Sequence, residues 1–172
     1  MTILVLFIML LLLSVTWQDF RHRAVYWYLF PLLGILFCCN AIALGSWSVQ
    51  AVAINLILLT VQFGMLHLYY WLKHRHWLMK GQRYIGWGDV CFMTVLTVCL
   101  SPLNFALFML LSLVAVLLVV SLVQLLGFRI REIPLAGGQA LLLLLLWGMD
   151  YQHHGASLYS DHYVEQLLLG IV

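Results

Sequence analysis

The chain contains only six carboxylates, and two of them stand where acid–base chemistry is feasible. Asp19 lies at the end of a long apolar segment and Asp89 at the start of another. Two carboxyls that meet share a proton, so one takes a proton from water while the other donates one. Asp19 and Asp89 are therefore the candidate catalytic pair. The other four lie in polar connections or in the tail, where acidic groups are ordinarily solvated: Glu132, Asp150, Asp161 and Glu165.

Glycines precede Asp89 in the tetrapeptide Gly-Trp-Gly-Asp at 86–89. Glycine tolerates a positive φ and lets another backbone approach closely. A peptide bond that is to be cut needs that access to a carboxylate. Gly86 and Gly88 are thus predicted to be backbone residues that admit a substrate, although a loop-to-helix turn that happens to use glycine would have the same sequence.

Both aspartates also have purely structural alternatives. Asp89 could accept backbone N–H bonds at the start of its own helix, as helix-capping aspartates do. Asp19 could pair with Arg21 or Arg23, which follow it closely in the sequence. These alternatives stay open for each residue taken alone.

The composition predicts an integral membrane protein. Of the 172 residues, 65% are hydrophobic and 8% are charged, whereas a soluble domain is about half apolar and a quarter charged. The apolar runs are too continuous for barrel strands, which alternate apolar and polar residues. The net charge of +2 is too small to suggest a nucleic-acid partner. An all-α membrane bundle is the expected fold class.

A spanning helix needs about 20 apolar residues, and on that template the chain divides into six apolar segments. They form one domain over residues 1–172, with a polar loop at 73–88 and a tail at 150–172. The predicted spans are 2–17, 24–45, 49–72, 89–101, 103–128 and 133–149.

The basic residues orient these spans, because all eight fall in alternate connections. By the positive-inside rule the three basic connections face the cytoplasm and both termini lie on the other side. The loop at 73–88 would also attract anionic lipid headgroups. The basic residues are Arg21 and Arg23, then Lys73, Arg75, Lys80 and Arg83, then Arg129 and Arg131.

This topology brings Asp19 and Asp89 to the same cytoplasmic edge. The fourth span, 89–101, would be roughly 20 Å long at 1.5 Å per residue, against a hydrocarbon core of about 30 Å. Asp89 is therefore predicted to lie below the membrane surface. Ionisable residues at such depth are costly and usually functional.

Two motifs resemble those of the type IV prepilin peptidases and archaeal preflagellin peptidases, which are GxGD intramembrane aspartic proteases. The segment at 19–25, Asp-Phe-Arg-His-Arg-Ala-Val, matches the opening of the family's first motif, with Tyr26 and Trp27 where Pro-Asn is usual. The segment at 86–90, Gly-Trp-Gly-Asp-Val, matches the second motif, with Cys91 in place of a lysine. A weaker likeness is the proline- and glycine-containing segment at 133–140.

The resemblance implies a peptidase that lacks the methyltransferase region of the larger bacterial enzymes. Asp19 and Asp89 would jointly activate water, supported by Arg21 and Arg23, and no cofactor would be needed. The substrate would be a single-span, prepilin-like precursor, cut after a short basic leader at the cytoplasmic face of the bacterial inner membrane. The oligomeric state and the identity of the general base are left open.

Two other functions fit the same residues. A small membrane carrier would use the two aspartates to bind an ion or a proton, with the glycines supplying an unwound helix start. A catalytically silent homologue would act in membrane assembly. A carrier of this kind typically has paired broken helices near the midplane, whereas both aspartates are predicted at one face.

Histidines suggest a metal site in two places, but neither spacing fits a tight zinc motif, and no metal is expected. The first group combines two histidines of the basic loop with one that follows the first span. The second group lies in the tail. The groups are His22, His74 and His76, and His153, His154, Asp161 and His162.

Overall fold

The computed structural model describes residues 2–74, 86–126, 135–152 and 157–161. This part of the chain contains six α-helices, one short 3-10 helix and no strand, which confirms the all-α prediction for it. The helices are α1 (Thr2–His22), α2 (Leu29–Ala43), α3 (Val49–His74), α4 (Trp87–Cys99), α5 (Pro102–Leu125) and α6 (Leu135–Gln152), followed by the 3-10 helix Ser157–Tyr159.

Three of the helices are long and apolar enough to cross a membrane. They are α1, α3 and α5, with apolar spans at Ile3–His22, Val49–Lys73 and Pro102–Leu125. Helices α2 and α4 are shorter, at 15 and 13 residues, and the apolar part of α6 runs over Leu135–Met149. Length and composition therefore indicate a membrane protein, with three helices among the described residues that could each cross a membrane.

The first helix ends later than the hydropathy predicts. It continues past Trp17 to His22, so Asp19 lies inside its last turn. Arg23 closes the helix in the left-handed region, at φ 54°, and its N–H donates to the carbonyl of Asp19 at 3.0 Å. The Gln18 side chain then accepts the N–H of Tyr26 at 3.2 Å. These local hydrogen bonds shape a turn that hydropathy does not detect, and α2 begins only after it.

The core is formed by apolar side chains that face inward from all six helices. Helix α6 packs along α1, and α2 packs against α1 and α4. Helix α3 contacts α4 and α5, so that much of its surface faces outward. The largest fully buried apolar side chains are Ile8, Leu12, Leu33, Phe37, Phe92, Leu96, Phe105 and Leu143.

The C-terminal end of helix α4 is bound by a side chain from α3. The last carbonyls of a helix have no partner within it. The buried Asn55 amide donates to the carbonyls of Thr97 at 3.0 Å and Leu100 at 2.7 Å. A polar side chain from another helix thus binds the carbonyls at the end of α4.

The end of the bundle that contains the C-terminal ends of α4 and α6 is covered by the segment 157–161. Its Asp161 carboxylate accepts the N–H of Leu103 in the first turn of α5 at 3.0 Å. The carbonyl of Leu158 accepts the N–H of Ser101 at 2.9 Å. This segment is therefore structural, and Asp161 serves as a helix cap far from Asp19 and Asp89 along the helices.

Candidate active site

The first turn of α6 brings the two candidate aspartates together. The first N–H groups of a helix have no carbonyl partner within it. Two consecutive groups of this kind are taken by carboxylates from different helices. Gly137 N–H donates to Asp19 Oδ2 at 2.6 Å, and Ala136 N–H donates to Asp89 Oδ1 at 2.9 Å.

These contacts limit the separation of the two carboxyls. Consecutive amide nitrogens are joined by three covalent bonds, whose lengths total about 4.3 Å. With the two hydrogen bonds added, the bound oxygens of Asp19 and Asp89 lie at most about 10 Å apart. The pair therefore occupies one site at one end of the bundle.

Asp19 is buried, with 8% of its surface exposed, and it lies directly against the backbone of α6. A Cβ added at Gly137 would lie 2.9 Å from both Cβ and Oδ2 of Asp19. Such a distance is shorter than atoms tolerate, so only glycine permits this approach of α1 to α6. The short contact in turn places the Gly137 N–H within reach of the carboxylate.

Asp89 is half-buried and bonds to two helix starts at once. It lies in the first turn of α4, where its Oδ2 accepts the N–H of Gly86 at 3.1 Å. The expected capping role is thus present for one oxygen. The other oxygen leaves α4 and binds Ala136 of α6, so Asp89 ties the two helix starts together.

Gly86 does not use the positive φ that glycine permits. This residue precedes α4 with φ −75° and ψ 145°, an extended conformation open to any residue, and Gly88 lies within the helix. A Cβ at Gly86 would instead come within 3.1 Å of Asp89 Oδ2. The absence of a side chain at Gly86 therefore leaves room for the Asp89 carboxylate. That Gly86 and Gly88 admit a substrate stays a prediction.

Arg21 and Arg23 lie beside the site, with exposed side chains. The Arg21 guanidinium lies over the Trp17 ring, 5.8 Å from its centroid, which is a cation–π arrangement. Arg23 is close enough for its charge to act on Asp19. An interaction of Asp19 with an arginine would therefore add to its hydrogen bond with Gly137 and would not replace it.

Gly137 and Ala136 are site residues that the sequence analysis did not single out. They belong to the segment at 133–140, which was noted only as a weak family likeness. The Gly-Gly pair at 137–138 in an apolar helix was the available signal, since glycine inside a helix usually has a packing reason. Gly138 also fits this rule, because a Cβ there would lie 2.6 Å from Val116 Cγ2 of α5.

The metal alternative has little to support it among the described residues, where no three His, Cys, Asp or Glu side chains converge. His22 is exposed at the end of α1. The side chain of His74, and His76, His153, His154 and His162, lie outside the described residues.

Comparison of the chain with models of protein families, with curated proteins and with solved structures finds no match in any of the three.

Proposed function

We propose that the chain is a membrane-embedded aspartic endopeptidase that removes the short basic leader of single-span, prepilin-like precursors. One observation carries the proposal: carboxylates from α1 and α4 bind consecutive N–H groups of α6 within one site. Two carboxyls and a water are sufficient for amide hydrolysis without a covalent intermediate. The two motif resemblances support the same activity.

The proposal includes six spans and an orientation. Helices α2, α4 and α6 cross with α1, α3 and α5, and the site faces the cytoplasm of a bacterial inner membrane, with both termini on the other side. Exposed aromatic side chains near this end of the bundle are typical of helix ends at a membrane interface. They are Trp17, Phe20, Tyr26, Trp27 and Trp87.

The short α4 supports the location of the cut. Its 13 residues give about 20 Å of helix, so Asp89 would lie below the membrane surface. A precursor whose apolar helix begins just after the cut site would present its peptide bond at that depth.

The carrier alternative is disfavoured by the contacts of the carboxylates. N–H groups direct positive partial charge at their acceptors, and a helix start adds to that charge. Three such groups point at Asp19 and Asp89. A cation bound between the same oxygens would have to compete with them.

The silent homologue remains a second candidate, because the same hydrogen bonds would serve as helix caps in an inactive protein. The contacts of Asp89 favour this alternative most, since one oxygen caps its own helix. Both functions place the aspartates identically, and only activity separates them.

The deciding experiment incubates the purified chain in lipid bilayers with candidate precursors that carry basic leaders. We expect a shortened product from the wild type and none from Asp19→Asn or Asp89→Asn. Asp161→Asn is the matched control, because that carboxylate caps α5 away from the site and its variant should still cleave. Folding of each variant is verified by circular dichroism.

Each other outcome has a definite meaning. A folded wild type that cleaves no precursor would favour the silent homologue. Normal turnover by either Asn variant at position 19 or 89 would exclude the aspartic mechanism.

A further inference from the structure

The two carboxyls of the site differ in the number of hydrogen bonds they accept. Among the described residues, Asp89 receives one N–H at each oxygen, from Gly86 at 3.1 Å and Ala136 at 2.9 Å. Asp19 receives one N–H, from Gly137 at 2.6 Å, and it arrives at Oδ2. Hydrogen bonds to a carboxylate favour its ionised form. On this count the ionised form is favoured more at Asp89.

The helix ends act in the same direction. Asp89 lies in the first turn of α4, where the helix dipole is positive. Asp19 lies in the last turn of α1, where the dipole is negative and disfavours a second negative charge. The positive start of α6 faces both residues and does not distinguish them.

Two charges oppose this asymmetry. Arg23 favours the ionised form of Asp19, and an ionised Asp19 disfavours a second negative charge on Asp89. The repulsion between the two carboxylates is mutual and acts on whichever of them ionises second, so it does not by itself distinguish them. The Arg23 side chain is exposed, and water and salt screen exposed charges. The backbone N–H groups contact the carboxylates directly, so water and salt weaken their effect less.

We infer that Asp89 is the ionised member of the pair and acts as general base, while Asp19 holds the shared proton and acts as general acid. The inference rests on the proposed function. Oδ1 of Asp19 is the natural place for the proton, because Oδ2 accepts the Gly137 N–H.

The reaction balances with these roles. Water attacks the carbonyl carbon and gives its proton to Asp89, while the Asp19 proton moves to the carbonyl oxygen to form a gem-diol. Asp89 then protonates the leaving nitrogen as the C–N bond breaks. Asp19 recovers a proton from one diol hydroxyl, so an acid and an amine are released and both aspartates return to their starting states.

Infrared spectroscopy of protein labelled with ¹³C-aspartate tests the assignment, because protonated and ionised carboxyls absorb at different frequencies. Spectra of Asp19→Asn and Asp89→Asn are recorded against pH in bilayers, with the double variant subtracted to remove the other aspartates. We expect Asp19, alone in Asp89→Asn, to bind its proton at least about tenfold more tightly than Asp89 does in Asp19→Asn, a difference of one pH unit in midpoint.

Equal midpoints or the reverse order would overturn the assignment. Asp19→Ala and Asp89→Ala provide the same comparison if an Asn variant does not fold. The spectra do not depend on cleavage, so a chain that cuts no precursor would contradict the proposed function, whereas a reversed order in an active enzyme would contradict only the roles.

Discussion

Gly137 is the residue whose side-chain size decides the geometry of the site. Its missing Cβ lets Asp19 lie against the backbone of α6, since an added Cβ would stand 2.9 Å from Asp19 Cβ. The displaced atoms belong to a short, buried side chain and cannot rotate away easily. Any larger residue must therefore move α6 or the Asp19 carboxylate.

We predict that Gly137→Ala lowers the rate of leader cleavage by at least about tenfold, because catalytic groups must keep their geometry to within about an ångström. Stability should fall by about 1–3 kcal/mol, as is usual for overpacking. The measurements are cleavage rates and thermal unfolding in bilayers or detergent.

Gly64→Ala is the matched control, since a Cβ at Gly64 in α3 meets nothing within 4 Å. It should leave cleavage unchanged and stabilise the helix slightly, as alanine does relative to glycine. Full activity in Gly137→Ala would show that the close approach of α1 and α6 is not required.

Arg23 has a backbone conformation that is unfavourable for a residue with a Cβ atom. Its φ of 54° lies in the left-handed region at the end of α1, where glycine is usually found. Arg23→Gly is expected to raise the free energy of unfolding by about 1 kcal/mol, because the strain of a Cβ there is removed.

Thermal unfolding of Arg23→Gly and of Arg21→Gly provides the comparison. Arg21 lies inside the helix, so its replacement by glycine should destabilise by roughly 1 kcal/mol. A loss of stability in Arg23→Gly would mean that the contacts of the arginine side chain outweigh the strain.

At the scale of the elements, the length of α4 depends on contacts at both of its ends. Asp89 joins its start to α6, and Asn55 of α3 holds its last carbonyls. The hydropathy of 89–101 predicts the helix to within a few residues, and the structure has it at Trp87–Cys99. Its polar anchors come from other helices and are not evident from its own sequence.

Asn55→Ala is predicted to reduce stability by about 1–3 kcal/mol, because it leaves two buried carbonyls without donors. Loosening α4 should also lower cleavage, since Asp89 lies on that helix. The experiment measures unfolding and turnover of Asn55→Ala beside Gln62→Ala, an exposed polar residue of the same helix.

Gln62→Ala should behave like the wild type. Equal stability of the two variants would indicate that the Asn55 amide does not hold the end of α4.

At the scale of the whole molecule, the site and the segment 157–161 lie at opposite ends of the helices. Asp89 lies at the start of α4. Just after the other end of α4, the N–H of Ser101 donates to the carbonyl of Leu158. The proposed orientation therefore puts the aspartates on the cytoplasmic side and the segment 157–161 on the other.

Reporter tags test this orientation in intact cells. Tags at both termini should be accessible from the non-cytoplasmic side, and a tag within 75–83 only from the cytoplasm, because the basic connections remain inside. The reverse labelling of the termini would place Asp19 and Asp89 on the wrong face for a cytoplasmic leader.

The sequence by itself determined the class of fold and the approximate place of the candidate residues. A composition of 65% hydrophobic residues requires an apolar environment, and long apolar runs favour helices, whose backbone groups are satisfied internally. Asp19 and Asp89 could be recognised because an aspartate beside an apolar run is conspicuous. These are local signals, visible without knowing which helices touch.

Only the tertiary structure decided what holds the two aspartates. Their partners are the N–H groups of Ala136 and Gly137. Almost every residue has a backbone N–H, so its identity says nothing about whether that group will be free, buried and aimed at a carboxylate. That depends on where α6 begins and how closely α1 approaches it, which are properties of packing between segments more than a hundred residues apart in the chain.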